Sequence, residues 1–221
     1  LGEDPIVGVA QAIDGKCKSE NCAFYDNTCH PKLILEQATR VMHITRRISE
    51  FSVPQSPEAE LLDLNGLLRS TCNFISFDRR FRLLEMKMDL DSSLPAVMAA
   101  GDQLVQVAMN LLVNAGDALE NRVDPPPKIE VRSWQEEGKV LFSVRDNGIG
   151  VEPMHIDEVF KQHFTTKGAG KGSGLGLFLC RELIRAAGGD IILSSEVGVG
   201  TLVTVFLPIV PMAGAEEAAA Q

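Results

Sequence analysis

Three polar residues, Asn110, Asn114 and Asp117, recur at i, i+4 and i+7 in NLLVNAGDAL, the spacing that lines one face of a helix. Leu104, Val107, Leu111 and Leu112 supply the apolar contacts of the same helix. A polar stripe beside core positions needs a polar ligand. Downstream the chain reads DNGIG from Asp146, then VFKQHFTTK, then GAGKGSGLGL. In that run Gly168, Gly170, Gly172, Gly174 and Gly176 leave backbone N–H groups unobstructed, and a helix follows whose amino end can face a polyanion. These pieces describe a nucleotide site. A triphosphate brings about four negative charges into an acidic chain, so such a site requires a divalent metal and many hydrogen-bond donors. Mg2+ takes oxygen ligands and shares its octahedron among waters, phosphate oxygens and very few protein groups; Asn114 suits the role of that one protein ligand. Asp146 ends a strand, and a buried carboxylate there can accept a hydrogen bond from the exocyclic amine of adenine. Guanine, with a carbonyl in that place, cannot make the contact, so Asp146 would select ATP over GTP.

Each feature also has a plainer reading. Asn110 and Asn114 can solvate a helix, Asp-Asn-Gly is a common turn, and glycine-rich runs serve as linkers. Lys167 and Lys171 flank the glycine run and either pair with phosphate oxygens or stand as solvated charges. The loop is not a Walker loop, because the GK[ST] ending at its required spacing is missing.

The elements that must position these groups are legible from periodicity. LDLNGLLRSTCNFIS predicts a helix and RLLEMKMDL alternates as a strand does. Gly101-Asp102 leads into the helix bearing Asn110, with Asp102 as the expected cap. KIEVRSW and VLFSVRD predict two strands joined across QEEGK, a hairpin that delivers Asp146 at its end. GLGLFLCRELIRAAGG predicts a helix closed by glycines, and DIILSSEV with TLVTVFLP completes a sheet. The stretch between DNGIG and the glycine run suits an ATP lid, anchored by Phe160 and Phe164, with His163 on the lid surface.

In order and spacing the four pieces resemble the N, G1, F and G2 boxes of the catalytic ATP-binding domain of sensor histidine kinases, within the superfamily that includes gyrase, Hsp90 and MutL. Gly200-Thr201, opening GTLVTVFLP, looks like the family's last box, and FTTK resembles the nitrogen-regulator type. The resemblance implies an α+β fold: a two-layer α/β sandwich of Bergerat type, with a mixed, largely antiparallel sheet, preceded by a partial helical-hairpin dimerisation domain. It implies Asn114 as the Mg2+ ligand, Asn110 beside it as the catalytic group that orients metal-bound or attacking atoms, and Lys167 as its catalytic companion. The nucleotide site it implies comprises Asn110, Asn114, Asp117, Asp146, Gly148, Gly150, Thr165, Thr166, Lys167, Gly172, Ser173, Gly174, Leu175, Gly176, Leu177 and Thr201. The γ-phosphoryl would pass to a His and then to an Asp on a response-regulator receiver domain.

On this reading residues 1–53 are the hairpin, 54–62 a linker, 63–210 the catalytic domain and 211–221 a tail. LILEQATRVMHITRRISEF keeps apolar residues at helical spacing and resembles the second helix of the dimeric bundle. EDPIVGVAQAI resembles the first, beginning at its Pro, here Pro5, which would place the phosphoacceptor His just before Leu1. His43 is followed by Ile44 rather than an acid and His30 lies beside a proline, so neither fits the acceptor pattern. The loop between the helices holds Cys17, Cys22, Cys29 and His30, soft or borderline ligands for Zn2+, an iron-sulfur cluster or a redox disulfide. Its spacing matches no standard CxxC pair, and unpaired thiols in a solvated loop are the other reading. Cys72 and Cys180 fall on predicted helices as core residues.

Composition narrows the partners. With 221 residues, 45% of them hydrophobic, the chain can bury a sizeable core. A formal charge of -9 argues against nucleic acid, since there is no basic stripe to neutralise phosphates. No apolar run approaches the ~20 residues of a membrane span, so a cytoplasmic location is expected, with any membrane link through a further N-terminal portion; the lack of an initiating Met agrees with a fragment. Two other readings stand beside the kinase. One is a nucleotide-binding module that dimerises with an active kinase without its own phosphoacceptor; the other is a gyrase- or MutL-type ATPase, disfavoured because Asn110 stands where those enzymes use a general-base Glu.

Overall fold

The computed structural model describes residues 58–81, 84–120, 122–166 and 173–209. They lie in the second of two units into which the chain divides, Gln55–Gln221. The expectations for the hairpin, its cysteine loop, His30, His43, and the tail from 211 fall outside the described residues, as do Lys167, Lys171 and Gly172.

Seven strands and three helices alternate along the described chain. β1 (Glu60–Leu62) precedes α1 (Leu64–Ile75); β2 (Glu85–Leu90) and β3 (Val97–Ala99) precede α2 (Gly101–Ala118). The hairpin β4 (Lys128–Glu136) and β5 (Lys139–Asp146) is followed by residues 147–175 and α3 (Gly176–Ala186), and the hairpin β6 (Asp190–Glu196) and β7 (Gly200–Pro208) closes the fold. The main sheet has the order β2-β4-β5-β7-β6, with β2 parallel to β4 and every other pair antiparallel. It is therefore mixed and largely antiparallel, as the resemblance implied.

Burial explains the layering. β5 is the central strand, and Val140 to Val144 are all buried. Phe142, Val140 and Val144 share one core with Leu104, Val107, Leu111 and Leu112 of α2, Leu64 and Leu68 of α1, and Leu179, Leu183 and Ile184 of α3. All three helices thus cover one face of the sheet, which makes the two-layer sandwich. The outer strand β2 is mostly exposed and carries charge: Arg132–Asp89, Lys87–Glu130 and Lys128–Glu85 pair across it and β4. A charged edge discourages pairing with another sheet.

Several local features differ from expectation. The β4–β5 connection is shorter than QEEGK: Gln135, Glu136 and Lys139 belong to the strands. Only Glu137 (φ 48) and Gly138 (φ 73) turn, a two-residue loop with both central residues at positive φ, whose twist matches the flanking strands. Asp102 does not cap α2; Ala100 occupies the N-cap, and Asp102 lies in the first turn, where its Oδ1 accepts from the backbone N–H of Gln103 at 2.8 Å. From there its charge still favours the positive end of the helix dipole. Glu60–Leu62, inside the stretch read as linker, forms β1 and pairs with β3. α1 is tied to the sheet by a buried polar contact, in which Asn65 donates to the Asp91 carbonyl (2.6 Å) and accepts from Ser133 Oγ (2.7 Å).

Candidate nucleotide site

α2 is the spine of the site. Its apolar face is buried against the sheet, and Asn110, itself buried, stands on the flank of that face one turn before the half-buried Asn114. α3 begins at Gly176 directly opposite. A Cβ built on Gly176 would meet only Asn110 Cγ and Asn114 Nδ2, each at 4.0 Å. The first turn of α3, with its unsatisfied N–H groups, therefore opens onto the two asparagine amides, and glycine keeps the gap between them clear. Two neutral side-chain amides beside a helix amino end suit a Mg2+-bound polyphosphate: an amide supplies a hard oxygen ligand for the ion, the helix N–H donors for the phosphates. Among the described residues no cluster of three or more His, Cys, Asp or Glu is present that would hold a metal by itself.

At the other end of α2 lies the Asp146 turn. Asp146 is the last residue of β5 and is buried. Its Oδ1 accepts from the backbone N–H of Gly148 at 2.7 Å and of Thr201 at 3.3 Å. Burial pushes its pKa above the usual carboxylate range, against the lowering effect of those two bonds and of the nearby Arg122. The turn is held on all sides. A Cβ at Gly148 would come within 2.6 Å of the Ala118 carbonyl and 2.7 Å of Asp146 Oδ1. Gly150, at φ +72, packs against the Glu196 carbonyl; only glycine meets both requirements. Ser195 Oγ accepts from Val151 N–H and lies 2.9 Å from Thr201 Oγ1.

Asn147 takes no part in the binding set deduced from sequence, yet it fixes the turn to β4: its Oδ1 accepts from Lys128 N–H at 2.8 Å and its Nδ2 donates to the Pro126 carbonyl at 2.9 Å. Asn147→Ala should lower stability by about 1–2 kcal/mol, the net worth of two such bonds, measured as a shift in the urea unfolding midpoint. An unchanged midpoint would show that solvent replaces both bonds without loss.

The remaining predicted residues fall into distinct roles. Leu175 is buried and Leu177 packs against the core, so only their backbones can serve a ligand. Gly174, at φ +70, fits against the backbone of His163, and Ser173 Oγ accepts from Leu175 N–H at 3.3 Å. Thr165 and Thr166 are exposed. Asp117 lies on the predicted helix face but forms an ion pair with Arg80, which also binds Asp78. Arg80 was not singled out from sequence, and neither was Arg181, whose guanidinium donates to the Phe160 carbonyl at 2.9 Å and lies over the Phe160 ring. Phe160 packs on the core, Phe164 stands against the His155 ring at 5.3 Å, and His163 is exposed. No spacing rule could reveal the pairing of Arg80 with Asp117 or of Arg181 with Phe160, because these partners are 37 and 21 residues apart.

Comparison with known proteins places this geometry. Residues 99–211 match the family described as histidine kinase-, DNA gyrase B-, and HSP90-like ATPase. The chain is 36% identical over 190 residues to the sensor kinase CckA of Brucella abortus, a match covering 79% of this chain and 20% of that protein. It thus spans about a fifth of that relative's length. Among solved structures, full-length ShkA in complex with AMPPNP shares the fold with a TM-score of 0.64 at 24% identity, over 81% of this chain and 38% of the other. The histidine kinase ThkA in complex with the response regulator protein TrrA aligns with a TM-score of 0.62 at 23% identity, over 95% of this chain and 59% of the other.

Proposed function

The chain belongs to the histidine kinase-, DNA gyrase B- and HSP90-like ATPases, and from that premise we propose that it is the catalytic core of a sensor histidine kinase, binding Mg-ATP and presenting the γ-phosphoryl to a histidine. The observation that carries this reading is the opening of the amino end of α3, at Gly176, onto Asn110 and Asn114. Asp146 stands at the far end of the same helix, where the Gly148 turn abuts Ala118. From Asn110 to Ala118 is about 12 Å of helix axis, the scale of an extended nucleoside triphosphate. The base lies at one end and the phosphates at the other.

Each group then has a task. Oδ1 of Asp146 is engaged by Gly148 and Thr201, leaving Oδ2 to accept from the adenine amine. The α3 amino end donates to phosphate oxygens, Asn114 holds the metal, and Asn110 orients the groups around the γ-phosphate. Bound Mg2+ neutralises phosphate charge as the phosphoryl group transfers. Lys167 and Gly172 complete the phosphate contacts in this reading. An amide at Asn110 cannot act as a general base, so water is not activated there, which favours transfer to a protein acceptor over the hydrolysis of a gyrase-type ATPase. The acceptor imidazole would come from a helical hairpin that dimerises, and the next acceptor would be the Asp of a response regulator; the relative named a sensor kinase and the ThkA–TrrA complex support a response-regulator partner.

Incubation with Mg2+ and γ-labelled ATP tests the reading. Nucleotide should bind in a Mg2+-dependent manner, and no acid-labile, base-stable phosphate should remain on this chain. A chain that binds no adenine nucleotide would overturn the proposal. Label with that chemical profile would place an acceptor within these residues, with His43 the first to replace, and would refute the position before Leu1.

A further inference from the structure

The Asp146 turn lacks the apolar packing that usually fixes a loop. Ile149 is 64% exposed, and in the adjoining β6–β7 turn Val197 and Val199 are 56% and 51% exposed. Segments with few buried apolar contacts open readily unless polar contacts hold them. Asp146, Asn147 and Ser195 hold this turn from within and to β4 and β6, and one further side chain joins it to the β6–β7 turn. Arg122 lies just beyond α2, where its backbone N–H donates to the Leu119 carbonyl at 3.0 Å. Its Nη1 donates to the Gly148 carbonyl at 3.1 Å, and Nη1 and Nη2 both reach the Gly198 carbonyl at 3.3 Å. Around it Ile149 N–H donates to the Ala118 carbonyl (3.1 Å) and Gly198 N–H to the Ile149 carbonyl (2.8 Å). The exit of α2, the Asp146 turn and the β6–β7 turn thus meet at one guanidinium.

We propose that Arg122 is the positioning residue for base recognition, a clamp that holds the Asp146 turn against the β6–β7 turn through the Gly148 and Gly198 carbonyls. The proposal rests on the reading of Asp146 as the adenine contact. A guanidinium suits the task because its donors form a planar fork that reaches two carbonyls at once; an ammonium is a single point of charge. The same cation favours the ionised form of Asp146, the form that accepts from the adenine amine. Arg122 also ties the turn to the helix carrying Asn110 and Asn114, so the base and phosphate ends of the site are set by one rigid body.

The test uses Arg122→Met, which keeps the apolar stem and removes the donors, and Arg122→Lys. In the nucleotide-free protein, amide hydrogen exchange at 147–150 and 197–199 should accelerate about tenfold or more in Arg122→Met, while the β5 and α2 core amides keep their rates. ADP affinity should fall about tenfold, and the pH below which it declines should move upward, because Asp146 loses a neighbouring cation. Arg122→Lys should recover part of both effects. If Arg122→Met melts below the assay temperature, Arg122→Lys carries the same readouts at intermediate size. Native exchange at both turns, or ADP affinity and pH profile equal to those of the parent protein, would overturn the clamp. If the parent protein binds no ADP, the nucleotide reading fails, and the exchange rates still decide whether Arg122 holds the two turns.

Discussion

Asn114→Ala should abolish Mg2+-dependent ATP binding and leave the fold intact. The side chain is half-buried and faces the gap under Gly176, whereas the core face of α2 is built from Leu104, Val107, Ala108, Leu111, Leu112 and Ala115. Truncation removes nothing from that face, and alanine is the better helix former by a few tenths of a kcal/mol, roughly. The far-UV spectrum and a cooperative thermal transition should therefore be retained. Loss of an outer-shell partner alone typically costs about 10–100-fold in metal affinity, so loss of the direct ligand should reach at least the upper end of that range. Calorimetric titration with ATP, in Mg2+ and again in chelator, reads the effect. An affinity equal to that of the parent protein would remove Asn114 from the metal site.

Asp146→Asn should separate stability from recognition. The amide oxygen of Asn can still accept from Gly148 and Thr201, the two donors that Oδ1 now serves, so the turn should survive. Burial raises the pKa of Asp146 in the fold. A carboxyl group with its folded pKa above its unfolded value contributes most to stability below the unfolded pKa, and that contribution is lost as pH rises through the folded pKa. At neutral pH the ionised carboxylate is thus a burden on the fold, and its neutral isostere should melt at the same temperature or higher. Binding should move the other way. The second position of the side chain becomes an N–H donor facing the adenine amine, leaving two donors opposed. ATP affinity should drop by about 100-fold or more, as when a buried polar contact is left unpaired, and the preference for ATP over GTP should narrow. In the parent protein, nucleotide affinity should decline as pH falls through the folded pKa of Asp146, above the ordinary carboxylate range. An Asp146→Asn variant that binds ATP as the parent does would show that the base is read elsewhere.

Much of the architecture is a matter of local periodicity. The i, i+4 spacing of Asn110 and Asn114 beside Leu104, Val107 and Leu111 can satisfy its apolar face only as a helix, and the structure has α2 there. The alternation of Ile129, Val131 and Ser133 makes β4 a strand with one buried face. Glycine before and after GLGLFLCRELIRAA allows a helix to start and stop there, and Gly188 closes it at φ +75. β1 and β3 were not legible, because three residues have no measurable period and each is a strand only through its partner. Asp102 illustrates a competition: a good capping residue lost its place because Gly101 already adopts helical geometry.

By itself the sequence determined which chemical groups are present and which face or turn each occupies, since helix and strand periodicity act over a few residues. It also placed glycine at the Asp146 turn, where Gly148 and Gly150 leave no room for a Cβ. Only the tertiary structure decided that Gly176 faces Asn110 and Asn114, that Asp117 pairs with Arg80, and that Arg122 joins Gly148 to Gly198. Those meetings involve segments far apart in the chain. They follow from the burial of three helices against one sheet face, a cooperative outcome that no local pattern encodes.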